Sequence, residues 1–165
     1  MLLLGALKHV TAYSLENWVD DTGGPNNGTQ YHRFGFNGVI NRHDLAEIYL
    51  EQMRIAITES NPLGMMCSYS AINGSASCEN NVLLTTWARE SVGFEGNVVT
   101  DCGALGMSSE PQDKVVSAAD ALNAGTDLNC GSTYVMMFMM RLIVLNYVVL
   151  GINFLSCMYA GLKKT

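Results

Sequence analysis

Three short apolar runs recur at intervals of about thirty residues, each separated from the next by a stretch of helical periodicity. They are Gly64-Met65-Met66-Cys67-Ser68-Tyr69, Val98-Val99-Thr100 and Thr126-Asp127-Leu128-Asn129. Strands that alternate with helices read as βαβ units, and strands joined by such crossovers lie parallel. An earlier run, Leu2-Leu3-Leu4-Gly5-Ala6-Leu7, has the continuous apolar character of a buried parallel strand and ends in Lys8-His9. The expectation is an α/β chain with about four parallel strands.

The segments between support this order. Asn41 with Asp44 three residues on resembles a capping box. Leu45, Ile48, Tyr49, Gln52, Met53 and Ala56 then fall at helical spacing, until Asn61-Pro62 ends the run. Asn73-Gly74 marks a turn, and Asn80 or Asn81 can cap a helix running through Leu83, Leu84, Trp87 and Ala88 to Gly93. A last helix is expected from about Asp113 to Ala124, stopped by Gly125. Residues 10–43 read as one long polar loop around Gly23-Gly24-Pro25-Asn26-Asn27-Gly28.

Polar residues collect at the strand ends: Lys8-His9, Ser68-Tyr69, Asp101 and Asp127. In a parallel sheet these ends share one face, which in a (β/α)8 barrel is the face that carries catalysis. Asp101 follows Val98-Val99-Thr100 directly and precedes Cys102-Gly103-Ala104. Position alone suits a helix or turn cap as well as a catalytic carboxylate.

Length and charge narrow the class. The 165 residues suffice for one domain. A net charge of −6 and the lack of a long basic cluster exclude nucleic acid as a partner. The five cysteines, Cys67, Cys78, Cys102, Cys130 and Cys157, form no CxxC pair and no zinc-like set with histidine, so neither a metal nor a cofactor is expected. Asn27-Gly28-Thr29 and Asn73-Gly74-Ser75 are sequons, which permit secretion without requiring it. The apolar N-terminus lacks the basic n-region and cleavage site of a signal peptide, and a chain that opens directly on a strand-like run is expected to be truncated.

Residues 135–162 break the pattern, with Arg141 as their single charge. Residues 142–162 are largely apolar and run into Lys163-Lys164, a length that suits a membrane span. Three readings stand: a membrane anchor, a buried core helix, and an aberrant extension such as translated non-coding sequence. The absence of a polar face tells against the second. The interruptions at Asn146, Gly151 and Asn153, and the leftover Cys157, favour the third. The division is therefore 1–134 and 135–165, with the second part an atypical hydrophobic tail.

Four motifs occur in order: Lys8-His9 with Ala12-Tyr13-Ser14-Leu15-Glu16-Asn17-Trp18; Met66-Cys67-Ser68-Tyr69-Ser70-Ala71-Ile72-Asn73-Gly74; Val99-Thr100-Asp101-Cys102-Gly103-Ala104; and Ala124-Gly125-Thr126-Asp127-Leu128-Asn129-Cys130-Gly131. Together they make roughly residues 5–134 resemble part of a glycoside hydrolase family 3 enzyme, on its secreted β-xylosidase branch. The resemblance implies about the C-terminal half of a (β/α)8 TIM-like barrel. It also implies a retaining exo-glycosidase that removes terminal β-xylosyl or related residues from oligosaccharides, in an extracellular setting and without a cofactor.

By the same resemblance Asp101 matches the catalytic nucleophile, and Lys8 and His9 match the pair that binds sugar hydroxyls in the −1 subsite. Tyr69 matches a residue lining that subsite. Arg33, in His32-Arg33-Phe34-Gly35, matches an arginine that reaches the sugar in the xylosidase branch. Taken singly, Lys8 and Arg33 also fit solvated charges, His9 a satisfied histidine and Tyr69 ordinary strand core. Glu16 and Trp18 lie in the same motif without an assigned role. In a secreted product the resemblance makes Cys67–Cys78 and Cys102–Cys130 disulfide candidates, among other connectivities that the sequence allows.

Retaining hydrolysis needs two carboxyl groups about 5 Å apart. In the family the acid/base glutamate comes from a second domain, so this chain is expected to be inactive by itself. The alternative is a membrane-tethered, non-catalytic carbohydrate-binding or vestigial protein, with residues 142–162 as its anchor.

Overall fold

The computed structural model describes residues 5–21, 23–24, 27–105, 108–109, 114–115 and 117–140. The chain divides into two units, Met1–Gly131 and Ser132–Thr165. In the second, a helix covers residues 133–140. Residues 142–162 and Cys157 lie outside the described residues, so the readings of the tail are not addressed by them. Among the described residues no helix is long and apolar enough to cross a membrane.

The first unit is built on a parallel sheet. Strand β1 (Ala6–Val10) pairs with β5 (Gly64–Cys67), and β5 pairs with β8 (Asn97–Thr100), all parallel. Leu128 adds a parallel bridge to Val99 on the outer side of β8. The α/β architecture and the parallel pairing are those expected, with shifted limits. β1 reaches to Val10, so Lys8 and His9 lie within it; residues 1–4 lie outside the described residues. β5 ends at Cys67, before Tyr69. The expected strand 126–129 is one bridge, at Leu128.

The long loop expected over 10–43 holds secondary structure. β2 (Asn17–Val19) and β3 (Gln30–His32) form an antiparallel hairpin, and β4 (Asn37–Gly38) runs parallel to β6 (Ala71–Ile72). β6 in turn pairs antiparallel with β7 (Ser75–Ala76). These strands are two or three residues long, too short to show the alternating apolar signal by which a half-buried strand is read.

The helices follow their caps. The first runs over Arg42–Asp44, Leu45–Leu50 and Glu51–Ser60, π-wound in its middle part. Asn41 Oδ1 accepts from the Asp44 amide at 2.9 Å while Asn41 Nδ2 donates to Asp44 Oδ2 at 2.7 Å. The second, π-wound over Val82–Ser91, is entered through Asn80, whose Oδ1 accepts from the Leu83 amide at 3.0 Å. The third starts at Ala118 rather than near Asp113, because Ser117 Oγ accepts from the Asp120 amide and caps it there. It ends at Gly125, whose φ of 104° is open to glycine without the Cβ clash other residues incur.

Met65, Cys67, Val98 and Thr100 alternate into the core with Leu84, Ala88 and Ala121 from the helices also buried. On the other face of the sheet Met66 and Val99 are only half-buried, and Lys8, paired with Met66, is exposed. Gly96 brings the turn into β8 against Leu63, at the entry to β5. A Cβ there would stand 2.6 Å from the Leu63 carbonyl carbon and oxygen, so no larger residue fits without backbone movement.

Candidate active site

Asp101 sits where β8 ends. Its amide donates to the Cys67 carbonyl at 3.0 Å, which extends the β5–β8 pairing by one step and sets the carboxylate at the C-terminal edge of the sheet. Asp101 Oδ1 accepts from the Cys102 amide at 2.8 Å. The other oxygen, Oδ2, lies 3.2 Å from His9 Nε2, and both side chains are mostly shielded. The carboxylate thus faces His9 on β1, the strand on the far side of β5, rather than capping a helix.

His9 reaches Asp101 because β1 is irregular there. The pairing steps from Lys8 opposite Met66 to Val10 opposite Cys67, leaving His9 as the extra residue of a bulge. A bulge bends its strand and re-aims a side chain that strict alternation would place elsewhere. Lys8, one residue back, is exposed and forms no ion pair among the described residues.

An aromatic wall stands beside this pair. Tyr69 Oη donates to the Cys102 carbonyl at 2.7 Å, immediately past Asp101. Burial, and then the adjacent Asp101 carboxylate, push the Tyr69 phenol above its ordinary pKa, so it stays protonated as a donor. Tyr13 packs edge-on to His9 at 4.7 Å between ring centroids and lies 6.3 Å from the Tyr69 ring, and Phe34 meets Tyr69 at 4.9 Å.

Arg33 closes the group. Its guanidinium carbon lies 4.8 Å from the Phe34 ring centre and 5.1 Å from that of Tyr69, and Nη1 pairs with Glu16 Oε1 at 2.8 Å. Burial raises the Tyr13 pKa and the nearby Arg33 opposes the shift. Asp101, His9, Tyr69 and Arg33 are therefore brought into one cluster, and Lys8 sits at its margin. Tyr13 and Phe34, which stand in the sequence motifs without an assigned role, join the cluster through their ring contacts.

Covalent links hold the same edge. Cys102 is joined to Cys130 and Cys67 to Cys78. The Gly103 amide donates to the Cys130 carbonyl at 2.7 Å and the Cys130 amide to Thr100 Oγ1 at 2.9 Å. Residues 128–130 are thereby held against the end of β8.

Asp127 lies elsewhere. Its Oδ2 accepts from the Val98 amide and from Arg89 Nη2, both at 2.7 Å, at the start of β8 rather than its end. Arg89 also donates to the carbonyls of Gly96 and Gly125. The expectation that Asp127 shares the face of Asp101 is thus corrected. The strand it was assigned to begins only after it, so it clasps the opposite rim. Among the described residues no group of three or more histidine, cysteine, aspartate and glutamate side chains is placed to hold a metal ion.

Residues 30–149 match the family described as the glycosyl hydrolase family 3 N-terminal domain, a stretch that runs on past residue 134. A probable beta-D-xylosidase 7 of Arabidopsis thaliana is 38% identical over 132 residues, covering 76% of this chain and 16% of that protein. A probable exo-1,4-beta-xylosidase of Aspergillus terreus is 34% identical over 138 residues, covering 80% of this chain and 16% of its own length. The fold superposes on a family 3 exo-beta-xylosidase solved with a xylobiose aziridine activity-based probe, at a TM-score of 0.67 and 31% identity over 80% of this chain and 17% of that one. It also superposes on beta-glucosidase 3B from Thermotoga neapolitana in complex with glycerol, at 0.59 and 29% identity over 78% and 15%. The chain therefore spans about a sixth of the relatives it matches.

Proposed function

The chain belongs to glycosyl hydrolase family 3, and from that premise we propose that it carries the nucleophile half of a retaining β-xylosidase site, with Asp101 as the attacking carboxylate. The observation that carries this reading is the approach of His9 Nε2 to Asp101 Oδ2, 3.2 Å, at the C-terminal edge of a parallel sheet. The substrate class is terminal β-linked xylose, or a closely related sugar, on an oligosaccharide.

In this reading an Asp101 oxygen bonds to the anomeric carbon as the glycosidic C–O bond breaks, and the electron pair leaves with the departing oxygen. His9, with Lys8, holds hydroxyls of the sugar, and Tyr69 and Arg33 line its pocket. Contacts of this kind that tighten in the oxocarbenium-like transition state lower the barrier. The leaving oxygen needs a proton from a second carboxyl group, and water needs a base to release the glycosyl-enzyme. Among the described residues no second carboxyl contacts Asp101, and Glu16 is committed to Arg33. On this reading the chain by itself is expected to leave ordinary glycosides uncleaved.

Two further points belong to the same reading. The half-buried Met66 and Val99, paired on one sheet face, support a partial (β/α)8 barrel, since in a closed barrel such positions fill the interior. The two disulfides support an extracellular setting, where such bonds persist.

The test is a xyloside whose leaving group needs no proton, 2,4-dinitrophenyl β-xyloside. The expected result is release of about one dinitrophenolate per chain, with one xylosyl unit retained on the peptide that contains Asp101. Release without a label, a label on another residue, or labelling undiminished in Asp101→Asn defeats the proposal.

A further inference from the structure

The β2–β3 hairpin carries a surface that the cluster around Asp101 does not use. Its register places Trp18 opposite Tyr31 and Asn17 opposite His32. One step further towards the site the Arg33 amide donates to the Glu16 carbonyl at 3.1 Å, so Glu16 stands opposite Arg33. Side chains alternate between the faces of a strand. One face of the hairpin therefore bears the Glu16–Arg33 ion pair and the Trp18–Tyr31 pair as successive rungs. The other bears Asn17 and His32, which share a 2.9 Å hydrogen bond.

The two rungs of the first face do different things. Arg33 lies against Tyr69, whose hydroxyl is bonded beside Asp101. Trp18 and Tyr31 stack on each other, with ring centroids 5.2 Å apart and planes 25° from parallel. Trp18 nevertheless remains 45% exposed, although indole is among the side chains that folding most strongly buries on average. Two residues along a strand separate the rungs by roughly 7 Å. That is the scale of one sugar unit beyond the pocket that Arg33 lines.

We propose that the exposed ring of Trp18, held flat by Tyr31, is a stacking platform for the leaving-group side of a β-1,4-linked xylo-oligosaccharide. A xylopyranose ring offers C–H faces with no hydroxymethyl arm, and an aromatic ring held in one orientation meets such a face at small entropic cost. Tyr31 orients the platform and Arg33 joins it to the pocket. The proposal rests on the reading of Asp101 as the reacting carboxylate, because that reading sets which end of the substrate points along the hairpin.

The test is binding of xylose and of xylotriose to the 165-residue chain by titration calorimetry, with Trp18→Ala, Trp18→Phe and Asp101→Asn measured alongside. Xylotriose is expected to bind about tenfold more tightly than xylose. Trp18→Ala is expected to bring the two within about twofold, leaving xylose affinity unchanged, and Trp18→Phe to keep most of the difference. Circular dichroism of each variant verifies the fold. Equal affinity of the two sugars for the native chain, or a preference for xylotriose that survives Trp18→Ala, overturns the platform. The dinitrophenyl xyloside label on Asp101 is read separately, so failure of the platform and failure of the nucleophile reading give different results.

Discussion

His9 Nε2 stands 3.2 Å from Asp101 Oδ2, although the two residues are ninety-two positions apart and lie on the outer strands of the β1–β5–β8 sheet. The bulge at His9 and the one-step extension of β8 at Asp101 make this contact together. His9→Ala is therefore expected to slow labelling of Asp101 by dinitrophenyl β-xyloside by about a hundredfold, the cost of losing one aligned donor. His9→Gln keeps a donor and should lose less. Stopped-flow release of dinitrophenolate measures both.

Tyr69 should report the charge on Asp101. Its phenol is raised by burial and by the carboxylate, so replacing the carboxylate in Asp101→Asn brings the Tyr69 pKa down towards its ordinary value while leaving it above, because burial remains. Ultraviolet difference titration of the two proteins reads the change. The sign for stability follows from linkage. A phenol whose folded pKa is raised contributes fully below its unfolded pKa, near 10, and that contribution is lost as pH climbs through the folded value. The fold should accordingly weaken in that alkaline window, and less steeply in Asp101→Asn.

Arg33 and Glu16 separate two electrostatic effects. Their ion pair is wet, with the Glu16 side chain 65% exposed, so Glu16→Gln should cost less than about 0.5 kcal/mol. Arg33→Ala also loses contacts over two rings and should cost more than Glu16→Gln. Arg33→Lys should fall between them, since an ammonium lacks the flat surface that meets the rings. Urea unfolding midpoints of the three variants rank these costs.

The two disulfides should differ in worth. Cys102–Cys130 spans 28 positions and Cys67–Cys78 spans 11. Loop-closure entropy then assigns roughly 3.5 kcal/mol to the first and roughly 3 kcal/mol to the second. Cys130→Ser with Cys102→Ser should be the more destabilising pair by urea unfolding. It should also slow Asp101 labelling, because Cys102 carries both the amide that bonds Asp101 and the carbonyl that receives Tyr69.

How much was legible varied with how local each signal was. Asn41 and Asp44, Asn80, and Gly125 act within one turn of chain, and the caps formed where the sequence placed them. A carboxylate next to a strand-like run looks alike at either end, so the sequence leaves the rim that Asp127 holds undecided. Only its bonds to Val98 and Arg89 reveal which rim it holds. The hairpin over 17–32 is not legible in the sequence because strands of three residues are too short to carry a period. Tyr13 and Phe34 joined the site through ring contacts with His9 and Tyr69, which no spacing along the chain encodes.

By itself the sequence determined the α/β class, the parallel pairing and the family, because strand–helix periodicity and ordered motifs are properties of residue order. Tertiary structure alone decided that His9 rather than Lys8 meets Asp101, that Tyr69 and Arg33 share one wall, and that Trp18 stands on the same hairpin face as Arg33. The physical reason is that a bulge and a strand register set directions in space. A shift of a single residue in either turns a side chain to the opposite face while leaving the sequence motif unchanged.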